Sequence, residues 1–137
     1  MKIYTSYYGK LRDLKENYPN VLPVAISGKA IDKFDKSLHF NRLAPTWNIW
    51  KEWHDSTDPY KDYRYQLRFF KEVLSKLDKQ ALLLEFQETL DVYSKAEGKN
   101  YDSIAMLCYE IPSKFCHRHI VAEWLRLDYP DMVLGEI

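Results

Sequence analysis

Three apolar stretches of the chain are typical of β-strands. Residues 2–7 and 21–27 are rich in β-branched and aromatic or aliphatic side chains, and a glycine closely follows each of them. Residues 103–109 form a third run whose nearly continuous apolar side chains predict a strand that is covered on both faces. Because proline cannot donate to a sheet ladder, Pro23 predicts that the second strand lies at a sheet edge or starts there.

Helical spacing dominates the middle and the end of the chain. A short helix is predicted over 11–16, and a longer one starts at Pro45-Thr-Trp47. Asp58-Pro59 predicts the start of a third helix, with an N-cap followed by proline at the first helical position. A fourth helix ends at Gly98, and the last one is expected to begin near Ser113. Their apolar stripes are Trp47, Trp50 and Trp53; Tyr63, Leu67, Phe70, Leu74 and Leu77; Leu83, Phe86, Leu90 and Tyr93; and Ile120, Val121, Trp124, Leu125 and Leu127.

The order of these elements predicts an α/β fold. We expect a small, mostly parallel sheet flanked by helices, Rossmann-like and helix-rich. Residues 29–43 have weak periodicity and are predicted as a loop with some local structure. A length of 137 residues fits one domain, over residues 1–137, with a core that needs neither disulfides nor metal.

Charge and cysteine content narrow the class of protein. Twenty basic and twenty acidic side chains cancel, so we expect neither nucleic acid nor a membrane as a partner. The first residues lack the apolar segment of a signal peptide, and two cysteines do not make a disulfide framework. We therefore expect a cytoplasmic protein whose cysteines are reduced, and no pattern in the sequence indicates a cofactor.

Chemically useful side chains are most concentrated in residues 104–118. An apolar run ends at Glu110, and a short turn leads to Cys116, His117 and Arg118 at a predicted helix start. Free backbone N–H groups there lower the pKa of a thiol and favour anions. Cys116, His117 and Glu110 are therefore candidate catalytic residues, and Arg118 is a candidate ligand for phosphate or carboxylate. In the alternative, structural interpretation, Cys116 packs in the core and Arg118 pairs with Glu110.

Hydroxyl groups lie near the carboxyl ends of the first two predicted strands. Thr5 and Ser6 close the first strand, and Ser27 closes the second. Because parallel strands end at one edge of a sheet, where ligands bind, these three residues are candidate contacts for a phosphate. Capping of turns is the alternative role for the same side chains.

The aromatic segment 47–65 allows three interpretations. The chain has 11 Tyr, 6 Phe and 4 Trp, and this segment is especially rich in them. Trp47, Trp50, Tyr60 and Tyr63 could form a stacking wall for a base or a sugar, with Tyr60 as a ligand-binding residue. Their helical spacing favours a lid whose aromatic side chains pack into the core. The third interpretation is a surface that binds a partner protein.

Residue spacing limits the reactions that this site could catalyse. A thiol-phosphatase loop needs arginine six positions after its cysteine, and neither Cys108 nor Cys116 has one. Cys116 and His119 lie one helical turn apart, but too few further ligands are available, so we expect no metal. Since neighbouring side chains usually point apart, His119 is a better partner for Cys116 than His117 is.

Several segments together resemble domain-of-unknown-function family 488. They are Leu107-Cys-Tyr-Glu110, Phe115-Cys-His-Arg118, Ala122-Glu-Trp-Leu125, Leu43-Ala-Pro45, Met1-Lys-Ile-Tyr-Thr-Ser-Tyr-Tyr8 and the helix with Tyr60 and Tyr65. The resemblance spans nearly the whole chain. It implies a compact α/β domain without an established activity, and it marks Glu110, Cys116, His117 and Arg118 as signature positions.

The chain departs from that family pattern at two strand ends. Many relatives carry Asp-x-Arg after the second strand, where this chain has Ala25-Ile-Ser27. Many also have Gly-His after the first strand, where this chain has Ser6-Tyr-Tyr-Gly9. A mechanism that needs the acid and guanidinium of Asp-x-Arg is therefore not expected here.

These observations predict a small-molecule site at residues 108–118. The expected ligand is a phosphate-bearing anion such as a nucleotide or nucleoside derivative, which the protein binds, or binds and processes. The alternative is a non-enzymatic protein-interaction or inhibitory module that uses the Trp/Tyr-rich face 47–65.

Overall fold

The computed structural model describes residues 1–137 as four strands, five α-helices and four short 3₁₀ turns. The strands are β1 (Lys2–Tyr7), β2 (Val21–Ala25), β3 (Ser103–Cys108) and β4 (Val133–Glu136). The helices are α1 (Leu11–Asn17), α2 (Trp47–Asp55), α3 (Lys61–Glu72), α4 (Lys79–Glu97) and α5 (His117–Arg126). No helix combines the length and the apolar content needed to cross a membrane.

The four strands form one parallel sheet in the order β2-β3-β1-β4. Strand β3 lies between β2 and β1, with Ser103 opposite both Val21 and Lys2, and all six of its residues are buried. The predicted parallel α/β fold of the Rossmann-like kind is therefore confirmed. Pro23 lies in the middle of β2, which is an edge strand, as proline requires.

Strand β4 was not among the predicted elements. It has only four residues, one of them Gly135, and it pairs with β1 with a register shift between Ile3 and Thr5. A segment this short carries too little alternation of polar and apolar residues to predict a strand. Its conformation depends on pairing with β1, which is more than 125 residues away in the chain.

Two helices begin later than their sequence signals predicted. The Asp58 carboxylate accepts the Tyr60 N–H, and the Lys61 N–H donates to the Asp58 carbonyl. Pro59 therefore lies in a turn, and α3 starts at Lys61 rather than at Pro59. Helix α5 starts at His117 rather than near Ser113, because residues 111–114 form a separate turn.

The sheet has a large apolar core on one face and a small one on the other. Leu22, Val24, Ile104 and Met106 face a cluster of 23 buried residues that includes the inner sides of α3, α4 and α5. Alternate strand residues belong to a cluster of only six buried residues, one of which is Leu14 of α1. The larger cluster holds α5 against the sheet, and His117, the first residue of α5, lies beside Cys108 at the carboxyl end of β3.

Candidate functional site

A cavity of about 420 Å³ opens at the carboxyl ends of β2 and β3. Its walls come from the loop after β2, from α2, and from the segment between β3 and α5. Crevices at this edge are where open parallel sheets bind ligands, and the volume suits a small molecule. The side chains that matter most for its chemistry are Lys29, Trp50, Trp53, Cys108, Cys116 and His117.

Two thiols and an imidazole meet at the base of this cavity. Cys108 ends β3, Cys116 precedes α5, and His117 is the first residue of that helix. Their ligand atoms all lie within 4.8 Å of one another, and Cys108 Sγ is 3.5 Å from His117 Nδ1. His117 Nε2 lies 2.7 Å from the Ile26 carbonyl, which can only accept, so Nε2 carries a proton and Nδ1 faces the sulfur atoms. We call these three residues the thiol–imidazole cluster.

The pKa values of the two thiols in the cluster are shifted in opposite directions. A hydrogen bond from Cys108, followed by the hydrogen bond and charge of His117, holds the pKa of Cys116 far below that of an ordinary thiol. The same hydrogen bond, together with burial, raises the pKa of Cys108. Cys116 is thus the more acidic of the two thiols, and Cys108 is the one that holds its proton more tightly. A thiolate beside an imidazole that a third group orients is the arrangement of an activated nucleophile.

The sequence predicted that His119 would be the partner of Cys116, and the structure corrects this prediction. Cys116 has an extended backbone (φ −154°, ψ 142°) and His117 is helical, so the rule for neighbouring helical side chains does not apply. The two side chains reach the same cluster as a result. His119 lies outside the cluster, and its buried Nε2 has no hydrogen-bond partner.

Arg118 is completely buried, with 0% of its surface exposed. Its Nε and Nη2 donate to the two carboxylate oxygens of Glu136 at 3.1 and 2.9 Å, and Nη1 donates to the Glu110 carbonyl at 2.7 Å. Burial alone would lower the pKa of Arg118, but Glu136 and Cys116 raise it. The guanidinium therefore joins β4 to the loop after β3 and places a permanent positive charge behind the cavity.

Thr5 and Ser6 also contact the C-terminal segment rather than the cavity. The Thr5 hydroxyl donates to Glu136 at 2.6 Å, and the Ser6 hydroxyl donates to the Ile137 carbonyl at 2.9 Å. Both side chains are buried. The structure thus brings Thr5, Ser6 and Arg118 together around Glu136, at a distance from the open face of the site.

Ser27 and Glu110 line the cavity, whereas Tyr60 does not. The Ser27 hydroxyl lies 2.6 Å from the hydroxyl of buried Tyr8 and donates to the Lys29 carbonyl at 2.8 Å. Burial raises the pKa of Tyr8 to about 12, so this phenol stays protonated. Tyr60 is 70% exposed at the turn before α3.

Helix α2 divides its aromatic side chains between the core and the cavity. Trp53 packs against the core and stacks on Phe115, with ring centres 5.5 Å apart. Trp47 and Trp50 stack on each other at 5.2 Å and are 65% and 38% exposed. All three tryptophans line the cavity, and Trp53 packs against the core as well, as the core-lid interpretation predicted for this helix.

Sequence reasoning missed Lys29 as a residue of the site, and it gave no role to Cys108 and Phe115 within the predicted range 108–118. Cys108 was assigned to the apolar strand, although its position at the carboxyl end of a parallel strand is a signal that could have identified it. Lys29 and Phe115 lie in loops whose conformations no local pattern determined.

The fold and this site define a Rossmann-like α/β protein with a thiol–imidazole cluster at the carboxyl edge of its sheet. Over residues 3–128 the chain matches DUF488-N3a, which is described as the active DUF488-N3 subclade. The chain therefore belongs to the domain-of-unknown-function 488 family, as the resemblance implied. No curated protein and no solved structure matches it.

Proposed function

We propose that the protein binds a small, phosphate-bearing, nucleotide-like molecule in the cavity and that Cys116 reacts with it. The observation that carries this proposal is the position of the Cys116–His117 pair at the base of an aromatic-walled cavity. The description of the matched subclade as active is consistent with chemistry at this site. A reducing cytoplasm would keep both thiols available, so we place the reaction there.

The aromatic wall favours a ligand with a planar ring. Trp47 and Trp50 are partly exposed and line the cavity, where Trp50 stacks on Trp47 and on His54; Trp53 and Phe115 form the deeper wall. Stacking of a base on an aromatic side chain contributes about 1–3 kcal/mol and works for any flat heterocycle. The cavity volume leaves room for such a ring and a sugar.

The phosphate requires a different partner from the one that the sequence suggested. Arg118 is bound to Glu136 and is closed off from the cavity. Lys29 lines the cavity, and its loop is held by a 2.7 Å hydrogen bond from the Tyr109 hydroxyl to the Lys29 carbonyl. We assign the anion contact to Lys29 and to the first turn of α5, whose backbone N–H groups favour negative charge.

The reactive step follows from the protonation states in the cluster. The Cys116 thiolate forms a bond to an electrophilic carbon of the ligand, and the leaving group departs with the electron pair of the broken bond. A proton from His117 or Glu110 neutralises that leaving group. Water then cleaves the bond to sulfur, and its proton returns to the base, which restores the thiolate.

A thermal-shift screen tests the binding proposal directly. The panel contains nucleosides, their monophosphates and the matching sugar phosphates without a base. A ligand at a hundred times its Kd raises stability by about 2.7 kcal/mol. We expect base-containing phosphates to stabilise the protein and Trp50→Ala to weaken binding about 5- to 150-fold.

The matched control is Tyr63→Ala, which removes an exposed aromatic side chain on α3 that does not line the cavity. This variant should bind as the wild type does. The proposal is wrong if no member of the panel stabilises the protein, or if Trp50→Ala and Tyr63→Ala bind the ligand equally well. Intact mass of the ligand-treated protein then tests the covalent step, which Cys116→Ser should abolish.

A second candidate function is the binding of a partner protein through the face 47–65. The observation that favours it is the exposure of Tyr60 and Tyr63, which lie outside the cavity. Large exposed aromatic residues are enriched at the centres of protein interfaces. A partner captured by wild-type protein and by Trp50→Ala, but not by Tyr63→Ala, would support this function.

A further inference from the structure

We propose that Cys108, Cys116 and His117 form a Zn²⁺-binding site whose fourth coordination position faces the cavity. The inference goes beyond ligand binding, because it adds a metal ion that competes with the small molecule for the sulfur of Cys116. It stands on the positions of three ligand atoms and does not depend on the identity of the small molecule. The expectation of no metal came from pairing Cys116 with His119, for which too few further ligands were available; the structure instead brings Cys108 and His117 to Cys116.

The spacing of the ligand atoms fits a tetrahedral ion. Zn–S bonds are about 2.3 Å and Zn–N bonds about 2.0–2.1 Å, which puts sulfur and nitrogen about 3.5 Å apart around one ion. The distance from Cys108 Sγ to His117 Nδ1 is 3.5 Å. All three ligand atoms lie within 4.8 Å of one another, so a small movement of Cys116 completes the triangle.

The imidazole is already oriented as a metal ligand. In zinc sites, the ring nitrogen that does not bind the metal usually donates to a carboxylate or a backbone carbonyl, which fixes the ring. Here His117 Nε2 donates to the Ile26 carbonyl at 2.7 Å, and this leaves Nδ1 directed at the sulfur atoms.

The chemistry of the three donors selects zinc among common divalent ions. Two thiolates and an imidazole suit Zn²⁺, whereas Mg²⁺ and Ca²⁺ require oxygen ligands. Binding forms two Zn–S bonds and one Zn–N bond, and Cys108 releases its proton to solvent. Zn²⁺ with two thiolates has no net charge, so it requires no additional counter-charge from the neighbouring Arg118–Glu136 ion pair.

Burial protects such a site and leaves one side open. Cys108, Cys116 and His117 expose only 5–6% of their surfaces, yet all three line the cavity. Three protein ligands and one open position is the pattern of zinc sites that also bind water or a small ligand. Because coordination to zinc withdraws electron density from the sulfur and fixes its position, zinc occupancy should slow the covalent reaction of Cys116.

The test uses the full chain, stripped of metal with a chelator and kept reduced. Zn²⁺ is titrated in competition with a colorimetric chelator, and Co²⁺ is used as a spectroscopic substitute. We expect one Zn²⁺ per chain, and a thiolate-to-cobalt charge-transfer band together with the intense visible bands of tetrahedral Co²⁺. Loss of even an outer partner of a metal ligand costs about 10- to 100-fold in affinity, so Cys108→Ser, Cys116→Ser and His117→Gln should each lose at least that much.

His119→Gln is the matched control, because His119 neighbours the site without belonging to the cluster. It should bind Zn²⁺ with wild-type affinity, and circular dichroism checks that every variant is folded. Bound Zn²⁺ should also protect Cys116 from iodoacetamide in the wild type, which requires no variant. The inference is refuted if wild-type protein shows no thiolate-to-cobalt band, or if Cys116→Ser binds Zn²⁺ as tightly as His119→Gln does. Neither result depends on a nucleotide, so the proposed function is judged separately.

Discussion

Replacing Arg118 with methionine should destabilise the fold severely. The change removes one partner of a buried ion pair and leaves the Glu136 carboxylate with only the Thr5 hydroxyl as a side-chain donor. Removal of one partner from such a pair costs about 3–5 kcal/mol, since the other charge stays behind without compensation. The same substitution also removes the hydrogen bond from Arg118 Nη1 to the Glu110 carbonyl. Since a domain is usually stable by about 5–15 kcal/mol, this loss removes between about a fifth and all of that stability.

Urea unfolding followed by tryptophan fluorescence measures this loss. Arg126→Met is the control, because Arg126 lies on the same helix and donates to Glu123 and to the Leu134 carbonyl but is partly exposed. It should cost about 1 kcal/mol or less, as exposed ion pairs do. Adding Glu136→Gln to Arg118→Met should recover part of the loss by removing the unpaired charge. A cost below about 1 kcal/mol for Arg118→Met would refute the structural role of this ion pair.

Three further predictions concern the thiolate and the ends of α4. Iodoacetamide should alkylate Cys116 in chelator-treated protein at a rate that is flat between about pH 5 and 8, because its lowered pKa leaves the thiolate fully formed there. Cys108→Ala removes the strongest cause of that shift, so the rate should then rise with pH as for an ordinary thiol; an unchanged flat profile would contradict this. Asp78→Ala should cost about 1 kcal/mol in urea unfolding, because the carboxylate caps α4 through the Ala81 N–H, and Asp78→Asn, which keeps an acceptor, should cost less. Gly98→Ala should cost about 1–2 kcal/mol, since Gly98 ends α4 at φ 62°, and a gain in stability would contradict this conformational argument.

Much of the fold could be predicted because its signals are local. The apolar run of β3 is long enough to indicate a strand buried on both faces, and Gly98 ends α4 where predicted. Strand β4 could not be predicted, since four residues with a glycine become a strand only through β1. Asp58-Pro59 is a genuine helix-start pattern, but here the Asp58 carboxylate closes a turn instead.

The position of the cavity was predictable, and the partners of its side chains were not. Residues 108–110 and 115–117 line the cavity, as expected for a strand end and a helix start, whereas Arg118 does not. Arg118 was expected to bind an anion, and it does bind a carboxylate, but that carboxylate is Glu136, which lies 18 residues further along the chain. Cys116 and His117 reach the same cluster because the backbone of Cys116 is extended just before α5 begins. Rules based on residue spacing do not predict such a conformation.

The open edge of β2 has a consequence for the behaviour of the protein at high concentration. The Val21 N–H donates to the Tyr18 carbonyl, and the Phe40 N–H occupies the Ala25 carbonyl, so alternate residues of β2 face away from β3. Pro23 lies between them on that outward side and has no N–H to offer. Ala25 also forms a bridge with His39, so a strand from another molecule finds few free partners along this side of β2. Intermolecular pairing through β2 is thereby disfavoured, which reduces aggregation through this edge of the sheet.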